Sequence, residues 1–174
     1  MHISCDDPIT RLVACASSRI ALGADEPAGA FLHDSTTAGV THYDNRNDRL
    51  NIDFRVERVA FPDLQTMDPR IVRIAPGRNN EYHRHAHESV FVVLEGAGEV
   101  LVGRRWLAVQ AGSIAFVPRW IFHQTRNLSE TDDLVVLAIT DFGFTSAVLG
   151  DYDRRTRLAA DGSDVEPTAS QPHA

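Results

Sequence analysis

Three histidines stand at every second position near the middle of the chain, at His83, His85 and His87. Side chains two positions apart in a β-strand point to the same face, so a strand through this stretch would project all three imidazoles together. Imidazole is the commonest metal ligand among side chains and suits zinc, copper, iron and nickel. The spacing therefore predicts part of a metal site, although a polar surface strand without a metal has the same alternation.

A second stretch downstream carries a lone histidine between a turn and a strand. Residues 113–117 form a strand-like apolar run, Pro118 marks a turn, and His123 follows just inside the next strand. Asn127 comes shortly after that histidine. This second stretch strengthens the prediction of a metal site and supplies a candidate for a further ligand.

Together the two stretches resemble the two sequence motifs of the cupin superfamily, over about residues 70–140. The positions that match the first motif are Gly77, His83, His85 and Gly96, and those that match the second are Gly112, Pro118, His123 and Asn127. The resemblance implies an all-β fold, the cupin double-stranded β-helix or jelly-roll barrel. It also implies a metal site made by His83, His85 and His123.

Two positions depart from the family pattern. Ser89 stands where the family has a glutamate ligand, and Trp120 replaces the middle glycine of the second motif. Glu88 lies one residue earlier, and a shift of one residue along a strand turns a side chain to the opposite face. We therefore expect three histidines without a carboxylate, with Ser89 adding at most a contact through water. We expect Trp120 to pack or to contact another subunit, or alternatively to narrow the mouth of the pocket.

The third alternating histidine leaves a second assignment open. His87 shares the predicted face of His83 and His85 and is therefore the reserve ligand. A register in which His85 and His87 bind the metal is the competing interpretation.

Residues around the predicted site include apolar and basic candidates. Phe91 continues the parity of the histidines, and we expect Phe91 and Phe116 to furnish apolar walls, a role that is compatible with core packing. Arg73 precedes the first motif and could hold a substrate carboxylate at the barrel mouth, because a guanidinium binds carboxylates bidentately. The sequence identifies no catalytic residue.

The chain is expected to form one cupin domain with an extension at each end. Residues 1–47 have weak periodicity and are predicted to be an N-terminal extension, 48–150 the cupin barrel, and 151–174 a polar, disordered C-terminal tail. Between residues 50 and 140, short strand-like segments alternate with turns, as in an all-β sandwich or barrel. Residues 141–149 are predicted to be a short helix or an edge segment.

Composition limits the partners. The net charge of −7 argues against a nucleic-acid binder, which usually carries a basic patch. No apolar run approaches the length of a membrane helix, so we expect no membrane partner. The cysteines are Cys5 and Cys15, whose positions do not indicate a disulfide framework or a zinc site, and a cytoplasmic protein with free thiols is the expectation.

The resemblance also implies a function. Three neutral histidines leave metal positions open for a small-molecule substrate, as in iron cupins that oxidise thiols, β-diketones or aromatic hydroxy acids. The implied function is an Fe(II) dioxygenase acting on a small chelating compound. A lyase or isomerase that uses Mn, Ni or Zn is the first alternative, and a non-catalytic cupin that binds a small ligand is the second. A homodimer is expected from the resemblance alone.

Overall fold

A computed structural model of the chain describes residues 40–59, 61, 64, 66–149 and 157–159. The two cysteines, most of the predicted N-terminal extension and most of the predicted tail lie outside these residues. No helix in the described residues is long and apolar enough to cross a membrane.

Nearly all the regular secondary structure of the described residues is β-strand. The strands are β1 (Thr41–Asn47), β2 (Ile52–Arg58), β3 (Asp68–Ile74), β4 (His83–His85), β5 (Ser89–Glu95), β6 (Ala97–Val102), β7 (Arg105–Gln110), β8 (Ile114–Val117), β9 (His123–Asn127), β10 (Leu134–Thr140) and β11 (Arg157–Ala159). A short 3-10 helix, Asp48–Leu50, joins β1 to β2, and helix α1, Phe142–Leu149, follows β10. Of the two structures predicted after the last long strand, a short helix or an edge segment, the helix is the one observed.

The strands form two antiparallel sheets, as the predicted cupin jelly roll requires. The first sheet has the order β1-β2-β3-β10-β5-β8, and the second has the order β11-β4-β9-β6-β7. The main apolar core joins residues of both sheets, among them Phe54, Phe91 and Leu134 of the first and Val100 and Val109 of the second. The core therefore lies between the two sheets, and the all-β cupin fold is confirmed.

Both faces of the first sheet carry apolar side chains. On β3, Ile74 belongs to the main core, whereas Ile71 belongs to a second apolar cluster with Val59 and Val135. Neighbouring positions of a strand point to opposite faces, so the second cluster lies on the outer face of the sheet. Hydrophobicity alone consequently does not reveal which face of β3 is the inner one.

The barrel strands extend beyond the sequence range predicted for them. β1 begins at Thr41, before the predicted boundary at residue 48, and pairs with β2 over residues 41–47. At the other end, β11 lies within the predicted tail and pairs with β4, where Arg157 is opposite His85 and Ala159 is opposite His83. The strand that carries two of the candidate ligands therefore has a neighbour on each side.

Two strands of the second sheet approach closely at Gly98 on β6. A Cβ atom built on this glycine would overlap the carbonyl oxygen of Arg126 on β9 and would lie 2.8 Å from Cδ2 of Leu134. Gly98 is buried, and its cross-strand partner on β9 is Asn127. The Asn127 amide donates to the carbonyls of Ile74 and Asp132, at 2.9 and 2.8 Å, and so ties β9 to the end of β3 and to the loop before β10. Packing at this point depends on the absence of a side chain on β6.

Candidate metal centre

Two adjacent strands of the second sheet bring three histidines together. β4 pairs with β9 so that His83 lies directly opposite His123, and His85 is two positions along the same face of β4. Each of these histidines offers a ring nitrogen, and the three nitrogens lie within 4.8 Å of one another. All three side chains are buried. The residues that the resemblance implied as ligands are therefore positioned to bind one metal ion.

The orientation of each ring is fixed by the main chain. Nδ1 of His83 is 2.9 Å from the carbonyl oxygen of Glu81, Nδ1 of His85 is 2.9 Å from that of His87, and Nδ1 of His123 is 2.9 Å from that of Ile121. A carbonyl oxygen can only accept, so each Nδ1 carries the proton and donates it. In the neutral ring, Nε2 is then the nitrogen with a lone pair for a metal.

The donor set fits a divalent transition metal. Three neutral imidazole nitrogens from rings held in one tautomer are ligands that zinc, copper, iron and nickel accept. In the described residues, the convergent group contains no carboxylate. Hydrogen bonding of the second ring nitrogen to a carbonyl is the usual support of a metal-binding histidine. His83, His85 and His123 would therefore hold the ion through their Nε2 atoms.

The third alternating histidine lies next to the group and outside it. The strand predicted to run through His83, His85 and His87 ends at His85, and β5 begins at Ser89 in the other sheet. The chain crosses between sheets over residues 86–88, which is why the single-strand prediction is wrong. The ring of His87 is buried and stacks on that of His85, with centroids 3.5 Å apart and planes 10° apart. In this position the His87 ring supports the His85 ring by stacking, and His87 is not part of the convergent group of ring nitrogens.

The inner face of β5 continues towards the histidines as predicted. Ser89 and Phe91 are buried, and the Phe91 ring centroid is 6.0 Å from that of His123. Oγ of Ser89 is buried without a hydrogen-bond partner among the described residues. Glu88 is half exposed and its carboxylate is 3.7 Å from Arg119, so this carboxylate points away from the histidines as predicted. Ser89 thus places a buried hydroxyl beside the site where the family has a carboxylate.

Two predicted pocket residues lie on the wrong side of the first sheet. Phe116 is 53% exposed, because Ala115 and Val117 are the inward positions of β8. Arg73 points to the outer face, where its Nε donates to Oε1 of the buried Glu57 at 3.0 Å. The predictions that Phe116 lines the pocket and that Arg73 holds a substrate at the barrel mouth are therefore wrong.

A polar clamp that sequence reasoning missed joins the loops on both sides of the histidines. Arg119, from the loop before β9, donates to the carbonyl of Ala86 at 2.7 Å and forms a short ion pair with Asp141. Asp141 also accepts from the backbone N–H of Glu88 at 2.9 Å. The backbone N–H of Trp120 donates to the carbonyl of His85 at 2.8 Å. The clamp joins residues far apart in sequence, so no local pattern could have revealed it.

Trp120 has a backbone conformation that explains the family's glycine at this position. Its φ is 58°, in the left-handed region that a residue with a Cβ atom adopts at a cost. Trp120→Gly is expected to be more stable than Trp120→Ala by about 0.5–1 kcal/mol, because glycine relieves this strain but gains more freedom when unfolded. Both variants lose the indole, so urea denaturation of the pair isolates the backbone contribution. An alanine variant as stable as the glycine variant would contradict the left-handed conformation.

Part of the chain matches a known domain family, and the chain is similar to distantly related proteins. The Cupin_2 domain matches residues 70–140, a range that contains all three convergent histidines. A 1-hydroxy-2-naphthoate 1,2-dioxygenase from Nocardioides sp. (strain KP7) is 24% identical over 110 residues, which are 63% of this chain and 28% of the relative. The chain therefore spans less than a third of the length of that relative.

Solved structures show the same fold. A cupin-2 domain from Rhodospirillum rubrum matches with a TM-score of 0.53 and 20% identity, over 67% of this chain and 76% of that one. A salicylate 1,2-dioxygenase from Pseudaminobacter salicylatoxidans matches with a TM-score of 0.53 and 19% identity, over 61% of this chain and 30% of that one. At these identities, the likeness is one of architecture.

Proposed function

Because this chain carries a cupin domain whose three histidines are positioned to bind a metal ion, we propose that it is a metal-dependent enzyme, specifically an iron(II) dioxygenase of a small chelating organic substrate. The observation that carries the proposal is the set of three imidazoles without a carboxylate, each with its Nδ1 proton donated to a main-chain carbonyl. When bound, iron(II) would supply redox chemistry and open positions for a bidentate substrate and O2.

The residues of the chain would position the substrate and keep water away. Phe91, Val93 and Ala138 are buried apolar residues on the inner face of the first sheet, and the Phe91 ring centroid is 6.0 Å from that of His123. Such a surface favours a flat organic substrate over water. Ser89 would donate its hydroxyl hydrogen bond to an oxygen of the bound substrate. The side chains thus select and orient the substrate, and the histidines would hold the ion.

The relatives support the oxidative form of the proposal. One is a dioxygenase of 1-hydroxy-2-naphthoate and another of salicylate, and both names describe an aromatic acid that carries a hydroxyl group. Such acids can chelate a metal through the two oxygens. We therefore place hydroxylated aromatic acids first among the substrates to be tested, ahead of thiols and β-diketones.

Metal analysis and oxygen consumption test the proposal together. Protein purified without oxygen is expected to contain iron in a near-stoichiometric amount, and iron-loaded protein is expected to consume O2 in the presence of a substrate from the panel. The variant in which His83, His85 and His123 are all alanine is expected to do neither. Zinc-loaded wild type is the matched control, since zinc has no redox chemistry.

Two outcomes would contradict the dioxygenase. Turnover of a substrate by the manganese, nickel or zinc form without O2 would instead indicate a lyase or isomerase. Tight binding of a small molecule that the triple variant retains would indicate a binding protein whose histidines are not involved. Either result would refute the proposed dioxygenase chemistry and would not affect the assignment of the fold.

A further inference from the structure

An arginine that the sequence did not suggest lies on the inner face of the first sheet. Arg70 of β3 is directly opposite Ala138 of β10, and Ala138 is opposite Phe91 of β5. Ala138 and Phe91 both belong to the core between the sheets. Directly paired residues of neighbouring strands project to the same face, so Arg70 points inward in the row that contains Phe91.

The next row along the same face is also polar. Asp68 is opposite Thr140, and Thr140 is opposite Ser89. All three side chains are buried, and of these three the Ser89 hydroxyl has no hydrogen-bond partner among the described residues. Two adjacent rows therefore carry Arg70, Asp68, Thr140 and Ser89 into the end of the barrel where the histidines lie.

The Arg70 guanidinium is held in a defined orientation. Its Nε donates to Oδ2 of Asp68 at 2.6 Å, and its Nη2 is 2.5 Å from the same oxygen. The Arg70 side chain is only 16% exposed, and its Cζ lies 5.4 Å from the centre of the Phe142 ring. An ion pair that places both nitrogens on one carboxylate oxygen fixes the plane of the guanidinium.

Phe142 connects this arginine to the histidines. The Phe142 ring centroid is 6.1 Å from that of His87, which in turn stacks on His85. In the other direction, the row Arg70, Ala138 and Phe91 reaches His123 through the contact of Phe91. Ala138, a small residue of the core, occupies the middle of this row.

We propose that Arg70 and Ser89 form a subsite for the carboxylate group of the substrate. The inference rests on the proposed function, because it assigns one end of a substrate whose other end lies at the three histidines. Arg70 would bind the carboxylate through charge-assisted hydrogen bonds, and Ser89 would donate its otherwise unused hydroxyl. Asp68 would keep the guanidinium oriented and would compensate the cost of burying its charge in the absence of substrate.

The alternative is that Asp68 and Arg70 are only a structural ion pair within β3. Under that alternative, removal of both charges affects stability and leaves the preference between ligands unchanged. The Ser89 hydroxyl argues for the subsite, since a buried hydroxyl without a partner costs stability unless a ligand satisfies it. A comparison of two ligands that differ in the carboxylate alone distinguishes the interpretations.

The experiment is calorimetric titration of the zinc-loaded protein with salicylate and with salicylamide, its neutral carboxamide. The zinc form makes the measurement independent of oxidation. The main variant, D68N/R70Q, removes both partners, so that no buried charge is left unpaired. We expect its affinity for salicylate to fall by about 10–100-fold, as for loss of hydrogen bonds to a charged group, and its affinity for salicylamide by less than about 3-fold.

The matched control is Arg55→Gln, the same substitution on the outer face of the same sheet, where Arg55 pairs with Glu57. Its ratio of the two affinities is expected to equal that of the wild type. If D68N/R70Q does not fold, Arg70→Lys keeps the charge and loses the planar fork, and its preference for salicylate is expected to fall by at least about 5-fold.

Three results would overturn the subsite. The wild type could fail to bind salicylate, both ligands could weaken equally in D68N/R70Q at full zinc content, or Arg70→Lys could keep the wild-type ratio. Absence of metal from the wild type would refute the proposed function itself, and the subsite with it. Metal content measured on every sample therefore separates failure of the function from failure of the subsite.

Discussion

Replacement of His123 by alanine is expected to abolish stoichiometric metal binding. His123 is directly opposite His83 on the neighbouring strand, and its Nε2 is available to a metal because Nδ1 donates to Ile121. Loss of a supporting residue around a metal site typically weakens metal affinity by about 10–100-fold, so loss of a ligand should weaken it by at least about 100-fold. The same loss is expected for alanine at His83 or His85. Elemental analysis after dialysis against a weak chelator measures the result.

Alanine at His87 is the matched control for those variants. His87 is buried beside the group, but its contacts support His85 by ring stacking and through a main-chain carbonyl that alanine retains. We expect the His87 variant to keep its metal, with affinity reduced by less than about 10-fold. Metal lost from the His87 variant and retained by the His83 variant would establish the competing register, in which His85 and His87 bind the metal.

Alanine at Gly98 is expected to destabilise the protein by about 3 kcal/mol or more, at the upper end for overpacking of a core. The added methyl group would overlap the carbonyl oxygen of Arg126, which belongs to the backbone of β9 and cannot move without disturbing the strand. The melting temperature should fall by roughly 6–12 °C, if 1 kcal/mol corresponds to about 2–4 °C in a protein of this size. Thermal unfolding followed by circular dichroism measures the change.

Alanine at Gly77 provides the comparison for Gly98. Gly77 has a φ of 66°, and a Cβ atom built there would meet nothing within 4 Å. Its replacement should cost about 1 kcal/mol, the strain of a left-handed residue alone. If the two variants had the same melting temperature, the close approach of β6 and β9 would not account for the loss of stability expected at Gly98.

Position parity predicted the inward face of β5 correctly, because alternate positions of this strand differ in burial. Phe91 and Val93 are core residues on β5, and Ser89 shares their inward parity towards the site. The neighbouring positions Val90 and Val92 are less buried although they are apolar as well, so the inward face was predicted from the parity of the histidines and not from hydrophobicity. Where a strand faces water or a thinner layer on one side, position parity is sufficient to place a side chain.

The same reasoning failed where both faces of a strand are apolar or where the larger residue faces outward. On β3, Ile71 and Ile74 belong to different clusters, so the sequence did not show that Arg70 points inward and Arg73 outward. On β8, the small Ala115 is inside and Phe116 is outside. The larger side chain of Phe116 suggested the opposite orientation. The space between the sheets at this position depends on residues of other strands, which the local sequence does not show.

Contacts between segments that are distant in sequence explain why the end of β4 was not predicted. The end of β4 at His85 and the crossing to β5 depend on bonds from Arg119 and Trp120, which are more than thirty residues away. No local propensity encodes such a corner. The family pattern nevertheless indicated the three histidines that converge, since it describes the outcome of the fold and not its local causes.

The main-chain partners of the three rings have a consequence for how this site changes over evolutionary time. Each histidine is oriented by a carbonyl that every amino acid possesses, at Glu81, His87 and Ile121. Mutations that alter those three side chains therefore leave the acceptors in place as long as the backbone path is kept. A site built in this way tolerates drift in the sequence around it, so lineages can diversify the surrounding pocket while retaining the same arrangement of imidazoles.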